Sequence, residues 1–168
     1  MSPYENLPDT QWKKVTKKLV NEHPLSSDIL IDTVLEAWNG ILKTKIADEL
    51  QIGRDIFPTP QILGNYLHEL IPVFLEKKYP GQWTRDIEKK DKDLVCVANP
   101  YYSVEIKTSS NANNIYGNAS YGQEDSASAS SKTKDGYYLA VNFEKFNPSN
   151  KDFIPRIRKI RFGWLDHS

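Results

Sequence analysis

The chain reads as an α/β fold in which a helical N-terminal half packs on a mixed central β-sheet. Three observations predict it. Apolar residues recur at three- and four-residue steps as far as Phe74. The period changes to strand-like alternation after residue 91. Both regimes fit within 168 residues, a length that suits one domain and cannot easily hold two. The expected division is one domain over 1–168, mainly helical over 1–78 and sheet-forming over 91–165, with a long loop at 109–135.

The elements follow in order. Trp12, Val15 and Leu19 share a helical face after a cap at Asp9 or Thr10, and Pro24 ends that segment. Ser26 and Ser27 precede a second apolar stripe of Leu30, Val34, Trp38, Ile41 and Leu42. Gly53 to Pro58 reads as a loop. Thr59 can cap a third helix, with Pro60 at a position where a missing N–H costs nothing. Leu63, Leu67, Leu70, Ile71 and Phe74 form its apolar face, while Pro72 predicts a kink or an end at Ile71. Asp93–Ala98 and Tyr102–Thr108 are strand-like around the turn residues Asn99-Pro100-Tyr101. Tyr137–Phe143 and Ile157–Leu165 complete the sheet. The Ser-, Asn-, Gly- and Tyr-rich stretch 109–135 is long for a compact domain, and such loops are commonly functional.

Composition removes several classes. Apolar residues make up 39%, enough for a core. No apolar run is long enough for a membrane span. The opening Met-Ser-Pro-Tyr-Glu-Asn-Leu-Pro-Asp lacks the basic-then-apolar pattern of a secretory signal, so a cytoplasmic location is expected. A lone cysteine, Cys96, excludes an internal disulfide framework and a Cys-based zinc site, and reads as a small buried strand residue. Lys plus Arg and Asp plus Glu are both 22, so the net charge is zero, which argues against a simple polybasic nucleic-acid binder. That total hides a segregation. Residues 151–161 carry five basic side chains against Asp152, a local balance of +4 that leaves −4 elsewhere.

The chemistry concentrates between Asp93 and Lys107. Strand residues two apart share a face, so Glu105 and Lys107 point one way and Val104 and Ile106 the other. If Asn99-Pro100-Tyr101 is a three-residue hairpin loop, Ala98 faces Tyr102 and Asp93 faces Lys107, with Glu105 diagonal to it. Two carboxylates and an ammonium then converge. That set suits Mg²⁺, which takes one or two carboxylates plus water and substrate phosphate. The lysine could orient an attacking water. The same three residues could instead form a cross-strand ion pair on a solvated face. Glu69 on the third helix is a possible further carboxylate or an exposed helix glutamate. His68 reads as a surface or packing histidine, and His23 and His167 join no visible cluster.

Asp93 followed by Glu105-Ile106-Lys107 resembles the PD-(D/E)xK nuclease motif, with Lys92 in place of the proline, which many nucleases of that superfamily also lack. Wider stretches resemble ScaI-type type II restriction endonucleases. These are Phe57-Pro-Thr-Pro-Gln-Ile-Leu-Gly64, His68-Glu-Leu70, Ser103-Val-Glu-Ile-Lys-Thr-Ser-Ser110 and Asn114-Ile-Tyr-Gly-Asn118. The opening Met1-Ser-Pro-Tyr4 and closing Gly163-Trp-Leu-Asp-His167 resemble that family too, so the similarity spans nearly the whole chain. The resemblance implies a restriction-endonuclease-like core and Mg²⁺-dependent cleavage of double-stranded DNA at a short, palindromic sequence. It implies metal ligation by Asp93, Glu105 and the Ile106 carbonyl, water positioning by Lys107, and a supporting role for Glu69. Asp91 competes with Asp93 for the ligand position, and strand parity favours Asp93.

Palindrome recognition implies a homodimer, since half-sites mirror protein symmetry. A cognate DNA methyltransferase would be expected in the same cell. For base readout the loop offers Ser109, Asn111, Asn114, Tyr116, Asn118 and Gln123, with Lys132 and Lys134 at its far end. Arg156, Arg158, Lys159 and Arg161 would meet phosphates or guard an edge strand. A strand near residue 165 leaves room for a further C-terminal segment. The competing readings are another nuclease of this superfamily (repair or junction-resolving), a non-catalytic DNA-binding module, and a metal-independent glycosidase, which the lysine beside its carboxylates disfavours.

Overall fold

The computed structural model describes residues 2–88, 90–115, 134–150 and 152–166. Three helices precede the main sheet: α1 (Asp9–Glu22), α2 (Ser27–Lys43) and α3 (Pro60–Lys78). Between α2 and α3 lies a small antiparallel hairpin, β1 (Lys45–Ile46) and β2 (Leu50–Gln51). Then come β3 (Trp83–Arg85), β4 (Leu94–Cys96), a 3₁₀ turn (Pro100–Tyr102), β5 (Val104–Ser109), β6 (Gly136–Phe143) and β7 (Ile157–Leu165). The five strands lie in the order β3-β4-β5-β6-β7. Only β5 and β6 are parallel, which makes the sheet mixed as expected.

The apolar stripes seat the helices. On α2, Leu30, Val34, Ala37, Trp38 and Ile41 are buried, and on α3, Leu63, Leu67, Ile71 and Leu75. Each such aliphatic side chain contributes about 1.5–3 kcal/mol relative to exposure. They meet Val104 and Ile106 of β5 and Leu139, Val141 and Phe143 of β6, all at most 1% exposed. The Trp38 Nε1–H donates to the Pro155 carbonyl at 3.0 Å, tying α2 to the entry of β7. Gly64 brings α3 close to β5: a Cβ there would lie 2.7 Å from Thr108 Oγ1.

Several expectations change. Ser26 does cap α2, accepting from the Ile29 N–H, but Thr59 makes no side-chain cap on α3. Pro72 does not end α3, which runs on to Lys78. Leu75 and Ile71 are fully buried on either side of it, so packing of a continuous stripe outweighs the lost hydrogen bond. On α1 no residue is buried and Trp12 is 48% exposed, because that helix lies along β7 rather than beneath the sheet. The strands β1, β2 and β3 were too short to leave a periodic signal.

His23, which ends α1, sits in an aromatic cluster. Its ring lies 4.5 Å from the Tyr137 ring centroid, with Phe162, Tyr102 and Trp83 between 4.9 and 5.7 Å. Nδ1 accepts from the Leu25 N–H at 3.1 Å and Nε2 faces the Tyr102 carbonyl at 2.9 Å, a pattern that suits the neutral Nε2–H ring. Burial lowers its pKa below the ordinary 6.5, against the smaller opposing effect of the Tyr102 and Leu25 carbonyls. A depressed folded-state pKa means the unfolded chain takes up a proton that the folded chain refuses. The stability is therefore complete above about pH 6.5 and declines as pH falls toward the folded value. We expect the melting temperature to drop between pH 7 and pH 5, and the His23→Gln variant to show a shallower drop by thermal denaturation. Equal slopes would show that His23 does not cause the drop.

Candidate active site

The central irregularity of the sheet builds the site. The loop between β4 and β5 is longer than a three-residue hairpin, because the 3₁₀ turn Pro100–Tyr102 and Ser103 lie within it. The observed register pairs Leu94 with Val104, so residues summing to 198 are opposite, not 200. Continued one step, that register sets Asp93 level with Glu105 rather than Lys107. A shift of two residues preserves strand parity, which is why the same side chains still meet.

That single pair is the whole registered contact of β4 with β5. Beyond it the strands part, and the Ile106 N–H takes a side chain as its acceptor. The Asp93 Oδ2 accepts that proton at 2.6 Å. A strand residue directs its N–H and C=O to one side, so the Ile106 carbonyl also faces the Asp93 side. The Lys107 Nζ donates to the Glu105 Oε1 at 2.8 Å, with the two side chains 17% and 8% exposed. Burial at that level raises the Coulomb attraction above that of a surface ion pair, against the cost of taking both groups out of water.

On α3 the structure turns His68, rather than Glu69, toward Asp93. His68 Nδ1 lies 3.6 Å from the Asp93 Oδ2, whereas Glu69 is exposed on the neighbouring face of α3. One residue along a helix turns the side chain by about 100°. Leu67 and Ile71 face the sheet, so His68 is carried toward Asp93 and Glu69 away from it. The apolar stripe read from the sequence does not separate the two; the packing of α3 on the sheet does.

Lys107, Ala140 and Arg161 stand level on β5, β6 and β7, and so do Ser109, Asn142 and Lys159. Partners in register point to one face, so Arg161 and Lys159 share the face of Glu105 and Lys107. A cleft of ≈ 510 Å³ opens there, lined by Lys107, Ile115, Tyr138, Arg161 and Phe162 among others. Among the described residues no group of three or more His, Cys, Asp or Glu could hold a metal by itself. The carboxylates of Asp93 and Glu105 nevertheless fit a hard divalent cation that completes its shell with water and phosphate.

Other sequence candidates divide. The Ser109 hydroxyl donates to the Asn114 carbonyl at 2.6 Å, and the Asn111 Oδ1 accepts from the Asn113 and Asn114 N–H groups. These two side chains therefore build the turn after β5, while Asn114 remains exposed. Arg158 donates to the carbonyls of Ser110 and Phe143 at 3.1 and 3.0 Å, anchoring that turn to β6. Arg156 pairs with Glu144 at 3.5 Å. Lys134 lies two residues before β6, and its carbonyl accepts from the Tyr138 hydroxyl. Tyr116, Asn118, Gln123, Lys132 and His167 lie outside the described residues.

A helical layer on a mixed five-stranded sheet, with paired acidic side chains and a lysine at its centre, is consistent with the restriction-endonuclease-like class. The model of the ScaI restriction endonuclease family matches residues 2–168, and the chain belongs to that family. It is 45% identical over 167 residues to the type II restriction enzyme ScaI of Streptomyces caespitosus, covering 99% of this chain and 72% of that protein. No solved structure matches. The protein is a nuclease, a type II site-specific DNA endonuclease of a restriction system. That kinship suggests a divalent-metal requirement. No helix among the described residues is long and apolar enough to cross a membrane.

The geometry separates two kinds of arginine. Arg161→Ala and Lys159→Ala should each flatten the log–log salt dependence of duplex binding by about 0.9. Arg158→Ala should leave that slope unchanged and lower the melting temperature, since its side chain holds the turn after β5. Filter binding across a salt series, beside thermal denaturation, measures both.

Proposed function

We propose that Asp93, Glu105 and Lys107 hydrolyse phosphodiester bonds of double-stranded DNA with Mg²⁺, at a short palindromic sequence read by a homodimer in the cytoplasm. A cognate methyltransferase would protect the host DNA. The observation that carries this reading is the buried Lys107–Glu105 contact beside an Asp93 carboxylate fixed on the Ile106 N–H.

Asp93, Glu105 and the Ile106 carbonyl would hold the ion. Bound there, Mg²⁺ would offset charge on the phosphate oxygens and make a nearby water more acidic. The chain's own residues do the rest. The Lys107 ammonium, held by the Glu105 Oε1, presents its remaining donors to a water poised to attack phosphorus. His68 holds the flank of Asp93 on the helix side. Arg161 and Lys159, on the same face, neutralise neighbouring phosphates and set the duplex against the site. Asn114 contributes to base readout at the start of the loop that leaves β5.

Asp93→Asn, Glu105→Gln and Lys107→Met should each slow cleavage by at least about a hundredfold, as expected for removing one preorganised charged group. Glu69→Gln should cost less than about threefold, because its side chain is exposed on another face of α3. Mg²⁺-dependent single-turnover rates on a sequenced plasmid measure this. A fully active Lys107→Met or Asp93→Asn would reduce the cluster to an ion network.

A further inference from the structure

We propose that Lys92 is a positioning residue for the Asp93 carboxylate, acting as a buried strap between the entry of β4 and the start of β6. The inference rests on Asp93 being a metal ligand. Lys92 is only 8% exposed, although lysine ordinarily keeps its ammonium in water. Its Nζ donates to the Asp135 carbonyl at 2.8 Å and lies 5.3 Å from the centroid of the Tyr138 ring. Tyr138 is level with Glu105 across the β5–β6 ladder, so the ammonium reaches the sheet beside the acidic cluster.

The backbone at the far end is shaped to admit this side chain. Gly136 opens β6 with φ +133°, a conformation that other residues rarely adopt. A Cβ at that position would come within 3.0 Å of both Cε and Nζ of Lys92. Glycine at 136 and lysine at 92 are therefore a matched pair, 44 residues apart in sequence and in contact in space.

The need for a strap follows from how weakly β4 is tied to its catalytic neighbour. β4 has three residues and one registered pair with β5, and the described residues between β3 and β4 form no helix or strand. Asp93 lies at the junction, outside the strand. Its carboxylate is fixed on one side by the Ile106 N–H, and its backbone is one peptide bond from Lys92. Anchoring Lys92 on β6 gives the backbone a second fixed point, which sets the direction of the carboxylate. A proline before the aspartate would restrict that backbone covalently; here a side chain does it by reaching across the sheet.

The test uses Lys92→Met, which keeps the stem and removes the charge, and Gly136→Ala, whose Cβ crowds the ammonium and strains the backbone at 136 while Lys92 is not itself substituted. Mn²⁺ is titrated into the full chain, and free ion is read by electron paramagnetic resonance. Metal-free duplex affinity and melting temperature are measured in parallel. Both variants should weaken Mn²⁺ binding about tenfold while duplex affinity stays within twofold of wild type. Unchanged Mn²⁺ affinity in either folded variant would overturn the proposal. So would losses of metal and duplex affinity that run in step with melting temperature, because that pattern marks a general structural role. If one variant fails to fold, the other decides by the same criteria. Asp93→Asn is the control for the underlying reading and should abolish the Mn²⁺ site. If it binds Mn²⁺ normally, Asp93 is not a ligand, and the Lys92 proposal falls for that separate reason.

Discussion

The hydrogen bond from the Ile106 N–H to the Asp93 carboxylate is the interaction on which the site depends. A central strand must satisfy its backbone groups, and β4 leaves β5 after one registered pair. An aspartate side chain supplies the missing acceptor at 2.6 Å. One bond therefore closes the gap in the sheet and places a carboxylate at the point where the strands part. Glu105 and Lys107 reach the same region because they flank Ile106 in the strand, whose own side chain is fully buried in the core. The apolar alternation that holds β5 in the sheet is thus also what aims the polar groups.

The helices matter to function through that same strand. α3 approaches β5 closely only because residue 64 is glycine, and this proximity brings His68 to within 3.6 Å of the Asp93 carboxylate. Zero net charge is compatible with DNA as substrate because the charges are sorted by location. The buried Glu105 and the partly buried Asp93 lie at the junction of β4 and β5, while Arg161 and Lys159 lie on β7 two strands away. A long-range field from total charge would have been the wrong quantity to judge by; local charge within a Debye length, about 8 Å at physiological salt, governs phosphate contact.

Much of this was legible in the sequence because strand parity is robust. The hairpin register was misjudged by two residues, yet Asp93, Glu105 and Lys107 were still expected together, since an even shift leaves every side chain on its face. The stripes of α2 and α3 were equally clear. What the sequence concealed depends on tertiary contact. Pro72 looked like a helix end because its cost is local, whereas the burial of Ile71 and Leu75 that outweighs it is not. The internal partners of Arg158 and Asn111, the carbonyls of Ser110 and Phe143 and the N–H groups after β5, appear only in the fold. His68 and Glu69 differ by one position, and choosing between them needed the phase of α3 against the sheet. Short strands such as β3 carry too few residues to show a period.

Cleavage of DNA at one sequence with a divalent metal is read on DNA itself. A fully sequenced plasmid is digested with the purified chain, with and without Mg²⁺, and every end is mapped. Discrete fragments sharing one terminal sequence, formed only with Mg²⁺, are expected. Intact plasmid across a range of Mg²⁺ concentrations, or cleavage at random positions, would contradict that expectation.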